Sequence, residues 1–206
     1  LIEGLQFNTP ASACGIKLWS AADESDAGAY KTTIQNCVFD GLWGGLYGIG
    51  FYGAPHRVTI QGCEFLEHRQ ADNTAFGIIV VDSSNSNPYE CRILNNVFYE
   101  NENHIGNLNG NRGFNVSFFM GNVFNKGTLI PVVAGTGVCL DLRGGSLGIN
   151  TVQGNYMGGV YRTLGNSGNY EANAGGPGNW IGNWCEDTAA ANVTATSGIS
   201  FNIPAA

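Results

Sequence analysis

The feature that most restricts this chain is one phrase, Thr32-Thr33-Ile34-Gln35-Asn36-Cys37-Val38-Phe39, which returns with changes six more times between Leu1 and Cys185. Aligning the copies on their last residue gives an apolar column of Phe7, Phe39, Phe65, Phe98, Phe124, Met157 and Cys185, spaced 26 to 33 residues apart. That period belongs to stacked repeats. A second apolar column, Ile2, Ile34, Ile60, Ile93, Phe119, Val152 and Trp180, lies five residues earlier in each copy. Between the columns stands Gly4, Asn36, Gly62, Asn95, Gly121, Gly154 or Gly182. Gly and Asn are the residues that enter positive φ cheaply, so a sharp bend is expected once per copy. The next position reads Leu5, Cys37, Cys63, Asn96, Asn122, Asn155 and Asn183. Stacking would set the last four amides above one another, each NH₂ donating to a carbonyl of the next copy, as a structural asparagine ladder.

Composition fits a solenoid of about seven rungs. The 206 residues include 31 Gly and 24 Asn, while charged residues make up 12% of the chain, against roughly 25% in ordinary globular proteins. A net charge of −7 with nine Lys and Arg argues against a phosphate-binding surface, so no nucleic acid partner is expected. No stretch of 18 apolar residues occurs, and no membrane insertion is expected. Cysteines at 14, 37, 63, 91, 139 and 185 form no CxxC pair and no zinc spacing, so neither metal nor cofactor is expected. Cys37 and Cys63 share the ladder column, where a bridge between rungs and a pair of buried thiols both remain open. Because the chain opens inside a repeat without a polar cap, it reads as part of a longer or processed polypeptide.

Each copy carries a second extended piece that begins at a glycine: Gly15 to Trp19, Gly48 to Tyr52, Gly77 to Val81 and Gly137 to Arg143, with blurred versions near His104 and Gly159. Alternation with period two marks these as short strands. No helical period is sustained anywhere. Two or three short strands per copy, joined by an Asn/Gly bend and polar loops, describe an all-β parallel solenoid over residues 1–188. Residues 189–206 read as a crossover and a C-terminal capping strand.

Copies such as Val58-Thr59-Ile60-Gln61-Gly62-Cys63-Glu64-Phe65 and Arg92-Ile93-Leu94-Asn95-Asn96-Val97-Phe98 resemble the right-handed parallel β-helix of the pectate-lyase-like superfamily. The Thr/Ser/Ala-rich ending that closes on Ile203-Pro204-Ala205-Ala206 is similar to that of bacteriophage virion β-helix proteins. This resemblance implies a homotrimeric virion appendage, a tailspike or fibre segment, that meets other virion proteins and a cell-surface polysaccharide. A secreted polysaccharide lyase or glycoside hydrolase, and a secreted bacterial adhesin, are the alternatives the same scaffold offers.

In such folds the sheet of glycine-initiated strands carries the sugar site, so its outward residues are the candidates. Alternation sends Lys17, Trp19, Gly50, Tyr52, Ile79, Val81, Cys139, Asp141 and Arg143 outward. Trp19 and Tyr52, on adjacent rungs about 4.8 Å apart, would make a stacking platform for a sugar or an interface. Ile79 and Val81 would form an apolar strip suited to burial between subunits. Asp82 and Asp141, two rungs and about 10 Å apart, are the candidate catalytic carboxylates, with Arg143 beside them; an inverting hydrolase sets its pair roughly 6.5 to 9.5 Å apart. An Asx turn at Asp82 and a surface ion pair between Asp141 and Arg143 are the plain readings of the same residues. The run Asp23-Glu24-Ser25-Asp26 lacks calcium-loop spacing. The GxGxxG at Gly48 to Gly53 lacks the helix that a nucleotide site needs. His56, His68 and His104 read as solvated loop residues, and the sequons at Asn115 and Asn192 are common by chance in so Asn-rich a chain.

Overall fold

The computed structural model describes residues 1–10, 13–20, 28–70, 74–81, 87–107, 113–125, 139–142, 150–158, 179–185 and 201–204. Among these there is no helix, and every strand pairing is parallel. The chain is a parallel β-solenoid. Two stacks of strands meet at a bend. The leading stack runs through Ile2–Glu3, Thr33–Gln35, Thr59–Gln61, Arg92–Leu94, Phe118–Met120, Thr151–Gln153 and the start of Asn179–Cys185. The trailing stack runs through Gln6–Asn8, Val38–Gly45, Glu64–His68, Val97–Tyr99, Val123–Asn125, Tyr156–Gly158 and the end of Asn179–Cys185. Phe201–Pro204 adds a parallel strand beside Asn179–Cys185. The second sheet holds Cys14–Trp19, Tyr47–Tyr52, Phe76–Val81 and Asn103–Asn107. Its next rung is described only at the bridge from Ile105 to Leu140. The expected seven rungs are therefore seven at the bend face and about four where both faces are described.

The register of the two apolar columns is the one read from the repeat: Ile34 pairs with Ile2 and Ile60, and Phe39 with Phe7 and Phe65, and so on to Trp180 and Cys185. Parallel strands bring like residues to the strand spacing, and the phenyl rings follow it. Ring centroids from Phe7 to Phe39, Phe65, Phe98 and Phe124 step by 4.9, 4.8, 4.7 and 5.0 Å. Burying each of these rings contributes on the order of 2 kcal/mol.

The rings also explain the glycines that open the second sheet. A Cβ on Gly48 would lie 2.8 Å from Phe65 Cδ1 and 2.6 Å from the Gly77 carbonyl oxygen, and one on Gly77 would lie 3.0 Å from Phe98 Cδ1. The Phe column requires a bare backbone beside it. That accounts for Gly48, and Gly50 leaves room on the outer face for the Tyr52 ring, 2.6 Å from where its Cβ would stand, so the motif is an ordinary strand without any nucleotide loop.

The bend residues sit at positive φ from Gly4 (65°) through Asn36 (52°) and Asn95 (53°) to Gly182 (61°). Just after each of the later bends the asparagine ladder is complete. Asn96 Nδ2 donates to Asn122 Oδ1 (3.0 Å), Asn122 Nδ2 to Asn155 Oδ1 (3.0 Å) and Asn155 Nδ2 to Asn183 Oδ1 (2.8 Å). Each amide nitrogen also donates to a carbonyl one rung back, Ile60, Ile93, Phe119 or Val152. Each Oδ1 in turn accepts a backbone N–H, that of Cys63 at Asn96 and of Asn96 at Asn122. Cys37 and Cys63 fill the same slots as free thiols, with Sγ 3.9 and 3.8 Å from the equivalent carbonyl oxygens of Ile2 and Ile34. A second ladder, not apparent from the repeat phrase, runs one position before the leading stack. There Asn150 Oδ1 accepts the Ser117 N–H and Ser117 Oγ accepts the Cys91 N–H.

Asn122→Ala removes two donors and two acceptances from a position without solvent access, and is expected to destabilise by about 3 kcal/mol or more in urea unfolding. Asn122→Asp keeps the shape but turns a carboxylate oxygen toward two acceptors. It should cost at least as much, and near-native stability of that variant would contradict the ladder.

Candidate functional site

The outer face of the second sheet carries the residues singled out from sequence, and the structure divides them. Trp19 and Tyr52 pair in register, as expected, with Trp19 exposed and Tyr52 half-buried under Lys17, whose Nζ lies 4.3 Å from the ring centroid. Val81 follows in the same register. Ile79, by contrast, is fully buried and does not belong to an exposed strip. Its register neighbours Gly50 and Gly106 lack side chains, and Tyr47 and Phe76 close over it in a small outer cluster with Cys14, Leu46 and Val81 packed alongside. Large rings one column away spread into the space that glycine leaves.

Cys139 was expected outward and instead joins the inner core. Asp141 is 3% exposed, with Cβ 3.4 Å from where a Cβ on Gly106 would stand and its N–H donating to the Ile105 carbonyl. A carboxylate so enclosed is poorly placed to meet a polysaccharide. Asp82, Arg143 and the run 23–26 lie outside the described residues. Among the described residues no group of three His, Cys, Asp or Glu side chains is placed to hold a metal ion.

Two features escaped the sequence reading, and they share one corner. The first is His68, expected in solvent but buried, as is His104. Asn101 Nδ2 donates to the Phe65 carbonyl (2.8 Å), which orients its Oδ1 toward the His68 backbone N–H (3.1 Å) and Nδ1 (2.8 Å). Nδ1 therefore carries the proton of the neutral ring, and Nε2 accepts from the Thr9 hydroxyl at 3.1 Å. That hydroxyl also stands 3.2 Å from the Asp40 carbonyl oxygen, an alternative acceptor. Burial holds the imidazole pKa down at about 4, against the partial opposition of Asn101 and Asp40.

The second feature is the rung between Thr9 and His68. The trailing stack pairs Asp40 with Leu66 and then Gly45 with His68, so residues 41–44 loop out where Glu67 alone suffices on the next rung. Thr9 and His68 meet across the neck of this loop. A Cβ on Gly45 would lie 2.6 Å from Thr9 Oγ1, and one on Gly41 would lie 2.7 Å from His68 Cα. At the tip, Leu42 and Trp43 face solvent, both at positive φ (49° and 63°). The Gly-Leu-Trp-Gly-Gly run was the available signal, since it inserts residues between the Phe39 anchor and the following strand.

The depressed His68 pKa fixes the sign of a pH effect. Between pH 6.5 and about 4 the unfolded chain binds a proton that the folded chain does not, so stability is full above pH 6.5 and falls as pH drops through that window. The loss should be on the order of 3 kcal/mol. His68→Gln is expected to flatten this part of the stability profile in urea titrations at stepped pH, and an unchanged slope would show that another group governs it.

No protein-family model, curated protein or solved structure matches this chain, so its assignment to a parallel β-solenoid stands on its own strand register.

Proposed function

We propose that this chain is a structural segment of a phage virion appendage, of the tailspike or tail-fibre kind, standing side by side with two further copies and touching a host-surface glycan through lateral aromatic residues. The observation that carries this reading is an apolar stripe on the outer face of the trailing stack. Val97, Tyr99 and Trp184 are exposed there, with half-buried Val38, Leu66 and Tyr156 on strands in the same registers, while Glu64 interrupts one column and Asp40 and Asn125 flank the apolar part of the other. The Tyr156 and Trp184 rings meet edge to face with centroids 5.6 Å apart. A stripe that repeats at the strand spacing along a rod is matched along its length by another rod of the same period. With Ile79 buried inside the chain, this stripe replaces the second sheet as the proposed subunit contact.

Two further points support the reading. The repeat phrase and the Thr/Ser/Ala-rich ending resemble those of virion β-helix proteins. The described core commits its asparagines to ladders, which favours a rigid shaft over a catalytic cleft. Trp19 beside Tyr52, and Trp43 on its loop, are the aromatic surfaces offered to a glycan.

Size-exclusion chromatography with light scattering is expected to give three times the 21.8 kDa chain mass. Val97→Asp and Trp184→Asp, each placing a charge on the stripe, should yield folded monomers. A wild-type chain that stays monomeric at high concentration would remove the side-by-side assembly.

A further inference from the structure

We propose that the two flanks of the bend are complementary halves of one subunit contact, so that the leading-stack flank of each chain seats on the trailing-stack flank of the next copy. This rests on the side-by-side reading above and assigns the apolar stripe its occupant, a second copy met through a different face.

The two flanks change character together. With the Ile34 and Phe39 columns turned inward, the columns on either side of the bend ridge face outward. On the leading side that column reads Glu3, Gln35 and Gln61 through the first three rungs. These are joined to one another: Gln61 Nε2 donates to Gln35 Oε1 (3.0 Å), and Gln35 Nε2 to Glu3 Oε1 (2.7 Å). From the fourth rung the column becomes Leu94, Met120, Gln153 and Ile181. Leu94 and Met120 are half-buried, Ile181 is exposed, and half-buried Phe118 lies in the column behind them. Across the ridge the trailing column carries Gln6 and Glu64 on the first and third rungs. It too turns apolar from the fourth, as Val97, Val123, Tyr156 and Trp184.

That match in height selects the occupant. A closed ring of parallel rods is generated by rotation alone, which carries each rung to the same level on its neighbour. One flank can then cover the other only if both patches span the same rungs, and both begin at the rung of Leu94 and Val97. A two-fold contact of the trailing flank with itself would stop at two copies and leave Leu94, Phe118, Met120 and Ile181 in water. The side chains are complementary as well. Rings stand on the trailing flank at Tyr99, Tyr156 and Trp184, and the leading flank opposes them with the adaptable thioether of Met120. Charge agrees with this pairing. Arg92, one column outside Leu94, is exposed and makes no ion pair among the described residues. Its counterpart one column outside Val97 is Tyr99, whose neighbour one rung down, Leu66, is followed by half-buried Glu67. A guanidinium on one copy thus faces a carboxylate on the next.

Light scattering after size exclusion tests the contact through exposed positions. Ile181→Asp spoils only the leading flank and Trp184→Asp only the trailing one. In a head-to-tail ring every contact uses both flanks, so each variant alone should run at the 21.8 kDa chain mass. An equimolar mixture restores one sound contact, the trailing flank of the first variant on the leading flank of the second, and should run at twice that mass. Arg92→Glu and Glu67→Arg should each weaken the assembly, and the two together in one chain should recover it. Lys17→Glu, on the second sheet, should leave the wild-type mass unchanged, and thermal melts check that every variant is folded. An Ile181→Asp chain that keeps the wild-type mass would overturn the leading-on-trailing contact while the stripe itself stands. A mixture that stays at the chain mass, with no recovery in the charge swap, would do the same. A wild-type chain that is itself monomeric would overturn the side-by-side reading and this contact together.

Discussion

The interaction on which the rest of this structure depends is the parallel backbone pairing that sets each residue over its counterpart one rung away. A spacing of about 4.8 Å suits a phenyl ring on a phenyl ring and an amide on an amide, but it repeats any misfit along the whole rod. Hence the columns hold few residue types. Phe rings tolerate the spacing by lying nearly parallel, at 5° to 8° through the first four. Asparagine tolerates it because its side chain has two donors and an oxygen that accepts twice, so every buried amide is answered above, below and by backbone. The Gly column beside Phe39, Phe65 and Phe98 belongs to the same solution, for no Cβ fits next to a stacked ring. When the column reaches His104, opposite Gly77, an imidazole lies beside the stacked Phe98 and Phe124, 5.7 Å from the centroid of each ring.

What could be read from the chain and what could not divides along this line. The Ile and Phe columns, the bends from Gly4 to Gly182 and the ladder from Asn96 to Asn183 were legible, because a repeated constraint leaves a repeated residue. Bends at Lys31, Arg57, Glu90 and Val116, all at φ between 48° and 55°, were not. Those residues differ in type, although the N–H groups of Lys31, Arg57 and Glu90 each donate to the next rung's backbone, at His56, Tyr89 and Asn115. Ser117 and Asn150 form a ladder in which hydroxyl and amide share a column, so identity gave no clue. Alternation along the second sheet placed Ile79 outward correctly but said nothing of its burial, since Tyr47 and Phe76 reach over it from a neighbouring column. For Asp141, whose nearest described contacts come from Gly106 and Ile105, strand parity was again a poor guide to exposure.

The corner at residues 41–44 shows how a scaffold this repetitive acquires a local feature. Thr9 and His68 lie two rungs apart and bond directly, which is feasible because the intervening rung contributes only Gly41 and Gly45 at that point. The chain between those glycines has nowhere to go but outward. It carries Leu42 and Trp43 with it. A buried polar bridge and an exposed aromatic loop are thus two sides of one interruption in the column.

Protonation at that bridge has a consequence that hydrogen-bond geometry alone would hide. With neutral His68, the Thr9 hydroxyl donates to Nε2; with an imidazolium, Nε2–H donates to Thr9, and the hydroxyl turns to the Asp40 carbonyl 3.2 Å away. Both states satisfy their donors, so acid does not break the bridge by leaving a group unpaired. What opposes protonation is desolvation of the cation in a fully buried site. Asp40 partly offsets it, as the second cause raising the pKa after Asn101. The same residue holds the Trp43 loop through the Leu42 N–H. Asp40 therefore joins the interior of the corner to its surface, its carbonyl facing the Thr9 hydroxyl and its carboxylate accepting the Leu42 N–H.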